Sequence, residues 1–232
     1  MAAVPPSDPA PASDPAPSAD PSWPTVVFDL DGTLVDTIGL IVDSYHHAFE
    51  TVLGRREDEA RIRAWIGRPL QQCFAEASPE HAEALFAAYS EWNAANTDRL
   101  VKRYAGVDRL VADLAAAGVT VAVATSKRRE PAARALQLTG LDTLIPVIVT
   151  QEDTPAHKPD PAPLLLAVSR AGGDPQRAAY VGDAVVDVLA AQAAGMTAIG
   201  VLWGAGDPEA IRAVGPAAVA TTVPELRHLL LP

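Results

Sequence analysis

A single cysteine, Cys73, stands in a chain of 232 residues, so no internal disulfide framework can hold the fold together. A lone thiol fits a reducing compartment, and a cytoplasmic protein is expected. Long basic runs are absent too. Lys and Arg number 18 against 29 Asp and Glu, for a formal net charge of -11, which argues against nucleic acid as a partner. No apolar run reaches the ~20 residues that span a bilayer, so no membrane partner is expected. The opening stretch "MAAVPPSDPAPASDPAPSADPSWP" lacks the basic start and apolar core of a secretory signal.

That stretch is Pro, Ala, Ser and Asp. It cannot bury enough apolar surface to offset its ordering entropy, so residues 1–24 are expected to be a disordered tail. Beyond it, the composition supports a core. Hydrophobic residues make up 49% of the chain, enough for one large α/β domain or a core with a smaller second domain.

Short continuous apolar runs recur along the chain: "TVVFDL" from Thr25, "VTVAVAT" from Val119, "PVIVT" from Pro146, "AAYVGD" from Ala178 and "TAIGVLW" from Thr197. Runs without polar alternation suit parallel strands covered on both faces. Between them lie helical patterns over 106–117, 160–171 and 184–194, the first placing Val107, Leu110, Val111 and Leu114 on one stripe. Strand alternating with helix predicts a doubly wound parallel sheet.

Residues 36–103 break this rhythm. Ile38, Ile41, Val42, Tyr45, Phe49, Val52 and Leu53 follow 3.6-residue spacing. Further helical patterns begin near Ile62 and Pro79. No convincing strand is present, so this block is expected to be an all-helical insertion. The α/β core would then comprise 25–35 and 104–232.

Ligands of open parallel sheets bind at the carboxyl ends of the strands. Asp29 and Asp31 stand at such an end, as do Thr125, Ser126 and Asp183, while Lys158 lies in a loop before a helix. Carboxylates gathered at one point repel unless a cation sits among them. Oxygen donors favour Mg²⁺, and no His/Cys cluster has zinc spacing.

The stretches "DLDGTLVD", "VATSK", "HKPDP" and "VGDAVVD", in this order, resemble the four motifs of the haloacid dehalogenase (HAD) superfamily. The helical block after the first of them resembles the cap of the subfamily that includes phosphoglycolate phosphatase, pyrophosphatase and β-phosphoglucomutase. The resemblance implies a Rossmann-like core with an inserted helical cap. It also implies a Mg²⁺-dependent phosphatase acting on a small phosphorylated metabolite, phosphoglycolate-like, as a monomer or homodimer. Pyrophosphate and nucleotides are rival substrates, and a mutase is the alternative reaction. A dehalogenase needs neither Mg²⁺ nor a second aspartate, and Asp31 speaks against it.

Under this resemblance Asp29 is the nucleophile and Asp31 the general acid and base. Mg²⁺ is held by Asp29, the backbone carbonyl of Asp31 and Asp183. Lys158, Thr125 and Ser126 bind the phosphoryl oxygens. Asp187 supports Lys158 or a metal-bound water. Arg68, in the "IGRPL" stretch, is the candidate for a substrate carboxylate or second phosphate.

Overall fold

A computed structural model describes residues 22–231. The tail expected over 1–24 therefore lies mostly outside the described residues. Its last two residues pack on the core: Trp23 Nε1 donates to Thr197 Oγ1 at 3.1 Å, and the Pro24 carbonyl accepts from the Thr120 amide at 2.9 Å.

In chain order, strand β1 (Thr25–Phe28) is followed by the two-residue β2 (Val35–Asp36) and four helices: α1 (Ile38–Leu53), α2 (Glu59–Trp65), α3 (Leu70–Ala77) and α4 (Ala82–Leu100). The chain returns through β3 (Lys102–Arg103) and α5 (Val107–Ala116). Then come β4 (Thr120–Ala124), α6 (Arg129–Thr139), β5 (Val147–Val149), α7 (Ala162–Arg170) and β6 (Ala178–Gly182). The last elements are α8 (Val185–Ala193), β7 (Thr197–Val201), α9 (Pro208–Ala213), β8 (Ala218–Ala220) and α10 (Val223–Leu230).

Six strands form one sheet in the order β5-β4-β1-β6-β7-β8, and every pairing in it is parallel. β1 sits in the middle with its four residues buried. Period-two alternation sends Val26 and Phe28 into the layer with Leu110, Leu114 and Leu136, and Val27 into the opposite layer with Leu164 and Val188. The chain winds outward from β1 to β5, then crosses to β6 and winds the other way. The end of β1 is thus the topological switch point, where open α/β sheets bind ligands.

The helical insertion leaves and re-enters through a short antiparallel ribbon, with Val35 opposite Arg103 and Asp36 opposite Lys102. Its core is aromatic: Tyr45 packs within 5.0–5.4 Å, centroid to centroid, of Trp65, Phe74 and Tyr89. Cys73 is buried there.

Three details differ from the sequence reading. The ribbon β2–β3 interrupts a block expected to lack strands. A sixth strand, β8, extends the sheet beyond Thr197–Trp203; three residues after Pro216 are too short for periodicity to register. Helix α3 begins directly after Pro69, a helix additional to the patterns expected from near Ile62 and Pro79. Among the described residues no helix is long and apolar enough to cross a membrane.

Candidate active site

β1 ends at Phe28, but the Asp29 amide still donates to the Val181 carbonyl at 2.8 Å. The backbone of Asp29 is therefore fixed by the sheet itself, and the residue is 2% exposed. Lys158 reaches it from the loop between β5 and α7. Its ammonium lies 2.7 Å from Asp29 Oδ1, 2.6 Å from Asp187 Oδ1 and 3.1 Å from the Tyr180 hydroxyl. Asp187, in the first turn of α8, also accepts from the Ala184 amide at 3.0 Å through Oδ2, a favourable place for a carboxylate at a helix N-terminus. Burial works against the Lys158 ammonium, but Asp187 and Asp29 outweigh it and hold its pKa well above the ordinary value.

Asp183 follows β6. Its carboxylate accepts from Thr33 Oγ1 at 3.0 Å and from the Ala205 amide at 2.8 Å. Two glycines make that approach possible. A Cβ on Gly32 would stand 2.4 Å from Asp183 Oδ2, and one on Gly204 2.1 Å from it. Gly32 also turns with φ of 83°, a conformation that side-chain-bearing residues rarely adopt.

Asp29, Asp183 and Asp187 each offer an oxygen, and these atoms lie within 4.8 Å of one another. Three buried carboxylates face one ammonium, a deficit of positive charge. Burial pushes the Asp29 pKa up to about 8; Lys158 pulls it down, while Asp187 and Asp183 add to the rise. Burial, then Asp187, lifts Asp183 to about 7. Such a set of hard oxygen donors fits a divalent cation such as Mg²⁺, which would restore the missing charge.

Asp31 stands outside this cluster. Strand geometry alone would put Asp29 and Asp31 on one face, but the chain leaves strand conformation after Phe28. The Leu30 carbonyl accepts from the Thr33, Leu34 and Val35 amides, closing a tight loop. The Asp31 carboxylate consequently meets Thr37 Oγ1 at 2.6 Å and Lys127 Nζ at 2.9 and 3.2 Å. Lys127 has no role in the sequence reading, although it closes the "VATSK" stretch. Its distance from Asp31, 96 residues along the chain, hides the pairing.

Thr125 directly follows β4, its amide bonded to the Val149 carbonyl at 2.9 Å and its hydroxyl accepting from the Lys127 amide at 3.2 Å. Thr125, Ser126 and Asp29 open onto one cavity of about 350 Å³. The opposite wall comes from the helical insertion and includes Trp65, Ile66, Tyr89 and Asn93. Arg68 lines this cavity too, but its guanidinium donates to Glu76 at 2.7 Å. The structure thus gathers Asp29, Lys158, Asp183 and Asp187 at one point, sets Asp31, Thr125 and Ser126 beside it, and places Arg68 on the far wall.

Comparison with known proteins agrees with this architecture. Residues 26–201 match the family model described as haloacid dehalogenase-like hydrolase. The chain is 33% identical to pyrophosphatase PpaX of Bacillus velezensis over 88% of its length and 94% of that protein's. It is 36% identical to pyrophosphatase PpaX of Halalkalibacterium halodurans over 89% of its length and 96% of the relative's. A crystal structure of a hydrolase from Pseudomonas syringae superposes with a TM-score of 0.80 at 27% identity, covering 88% of this chain and 97% of that one. The chain belongs to the haloacid dehalogenase-like hydrolase family and is an enzyme of its phosphatase class.

Proposed function

We propose that this enzyme is a Mg²⁺-dependent phosphatase that passes the phosphoryl group of a small phosphomonoester through Asp29. An Asp29 carboxylate oxygen attacks phosphorus, and the ester oxygen leaves with a proton from Asp31. In the second step Asp31 takes a proton from water, whose oxygen attacks the same phosphorus. Inorganic phosphate departs and the Asp29 carboxylate is restored. Lys127 and Thr37 hold the Asp31 carboxylate in position. Lys158 holds Asp29 and, with the Thr125 and Ser126 hydroxyls, stabilises the phosphoryl oxygens. Asp187 keeps Lys158 charged and in place.

Bound Mg²⁺, held by Asp29, Asp183 and the Asp31 carbonyl, would neutralise charge between the attacking carboxylate and the phosphoryl group. The helical insertion, 36–103, acts as a cap that excludes water from the core formed by 25–35 and 104–232. The enzyme works in the cytoplasm on a small phosphorylated metabolite, as a monomer or homodimer. Phosphoglycolate, suggested by the sequence, and pyrophosphate, suggested by the names of relatives, head the substrates to be tried.

The observation that carries this reading is the buried Asp29 carboxylate, 2.7 Å from Lys158 and beside Asp183, on a residue that lines the cavity. The test is turnover of p-nitrophenyl phosphate with Mg²⁺. Asp29→Asn abolishes it in a folded protein, and chelation stops it reversibly. Undiminished turnover by Asp29→Asn removes Asp29 as nucleophile.

A further inference from the structure

The wall of the cavity opposite Asp29 carries a specific hydrogen-bonding signature. Tyr89, Asn93 and Thr97 recur every four residues on α4, and all three are buried, with Asn93 only 6% exposed. All three line the cavity. A helix face that packs against neighbours ordinarily carries apolar residues, so a buried polar row facing a cavity calls for an explanation.

The protons on this face can be assigned. The Ser44 hydroxyl gives its proton to the Leu40 carbonyl at 2.6 Å. It must therefore accept from Asn93 Nδ2, 3.0 Å away, and this fixes the orientation of the amide. The Thr97 hydroxyl gives its proton to the Asn93 backbone carbonyl at 2.7 Å. Its second contact, to Asn93 Oδ1, is much longer at 3.5 Å. Asn93 Oδ1, on a buried residue, thus has only this long contact among the described residues, and an amide oxygen with two lone pairs keeps room for a better donor.

The charges of the cavity point the same way. Four cationic side chains line it, and each is already matched: Arg68 by Glu76, Lys127 by Asp31, Arg128 by Glu152 and Arg134 by Asp98. An anionic group at this wall would have to displace one of these acids from its cation. The remaining wall includes Tyr45, Trp65, Ile66 and Leu70. A volume of about 350 Å³ falls in the ~300–1,000 Å³ range of sites for organic ligands.

Building on the phosphatase reading, we propose that the substrate is an organic phosphomonoester whose leaving group is uncharged and carries a hydroxyl, and that Asn93 Oδ1 accepts the hydrogen bond of that hydroxyl. The far ends of fully ionised pyrophosphate and phosphoglycolate offer acceptors only. Each would set like poles against Asn93 Oδ1 and have to displace an acid from its cation on the wall. The assignment turns away from the phosphoglycolate-like substrate that Arg68 suggested, because Glu76 already holds that guanidinium.

The test compares kcat/KM for glycerol 1-phosphate and ribose 5-phosphate with that for n-propyl phosphate, phosphoglycolate and pyrophosphate, all with Mg²⁺. The hydroxylated esters are expected to exceed each of the other three by about tenfold or more, since a site built to bond a hydroxyl rejects analogues lacking one. In Asn93→Leu the preference for glycerol 1-phosphate over n-propyl phosphate is expected to collapse towards unity. Preference for pyrophosphate or phosphoglycolate in the wild-type enzyme overturns the proposal without help from any variant, while leaving the phosphatase reading intact. A preference ratio unchanged in Asn93→Leu overturns the role of Asn93. Failure to hydrolyse any ester, p-nitrophenyl phosphate included, overturns the phosphatase reading and this inference with it.

Discussion

At the strand ends, Asp29, Asp183, Asp187 and Lys158 meet as formally charged groups, each held by partners from several elements. Across the cavity, α4 presents Tyr89, Asn93 and Thr97, all uncharged, and the cations around them are matched by acids. The first region can polarise and attack a phosphoryl group, and the second can only shape and recognise what is attached to it. Chemistry and selection therefore rest on different physics. Electrostatics buried in a rigid sheet drives the one, and hydrogen-bond matching against a helical wall governs the other. Substitutions at the strand ends should abolish turnover of every ester alike, whereas those on α4 should reorder the esters.

The largest effect expected is at Asp29. Asp29→Asn should lower kcat by at least ~10³-fold on every ester tested, as loss of a nucleophile does. A loss confined to some esters would break the division between the two regions.

Lys158→Met comes next. It leaves Asp29 and Asp187 buried without their shared cation, and breaking such a pair costs about 3–5 kcal/mol. Chemical denaturation at pH 8 without metal should show this loss. It should shrink at pH 5, where Asp29, its pKa raised to about 8, takes up a proton instead. Equal losses at both pH values would mean that packing, and not charge, holds the site together.

The pH dependence of the metal-free protein gives a smaller signal. Asp29 and Asp183 are raised from the ordinary 3.8 to about 8 and about 7, so the folded chain binds protons more tightly than the unfolded chain. Their contribution to stability is fully present below about pH 4 and is lost as pH rises through about 7 to 8. The Tm of metal-free protein should fall between pH 5 and pH 8. Mg²⁺ should raise it more at pH 8 than at pH 5, and Asp183→Asn should flatten both trends. A Mg²⁺ effect that grows towards acid pH would contradict the acid cluster as the metal site.

The smallest effect is expected at Arg134, which pairs with Asp98 of the insertion through two nitrogens. Both side chains are exposed, where ion pairs contribute little. Arg134→Gln should leave Tm unchanged within error, in contrast to Lys158→Met.

The same division decides what could be read from the residue order. The doubly wound sheet and the helical insertion follow from apolar runs and 3.6-residue spacing, which are local properties. Asp29, Thr125, Lys158 and Asp183 stand at strand ends or in loops, within short stretches whose pattern carries the family resemblance. The pairing of Asp31 with Lys127 was not legible, because Gly32 and the loop closing on the Leu30 carbonyl turn Asp31 away from the face that strand geometry assigns it. Asn93 was hidden for another reason. Polar residues on a helix are expected to face water, and only the packing of α4 against α1, which brings Ser44 to Asn93 across 49 residues, turns this one inward. Arg68 was visible in the sequence, whereas its partner Glu76 becomes apparent only once α3 is seen to begin at Leu70.

The central claim is that phosphorus changes partners twice, first to Asp29 and then to water. The stereochemical course at phosphorus tests this directly, using an ester made chiral with oxygen isotopes and turned over with Mg²⁺ in isotopically labelled water. Two in-line displacements predict overall retention of configuration. Inversion would show that water attacks the substrate in a single step and would contradict Asp29 as nucleophile.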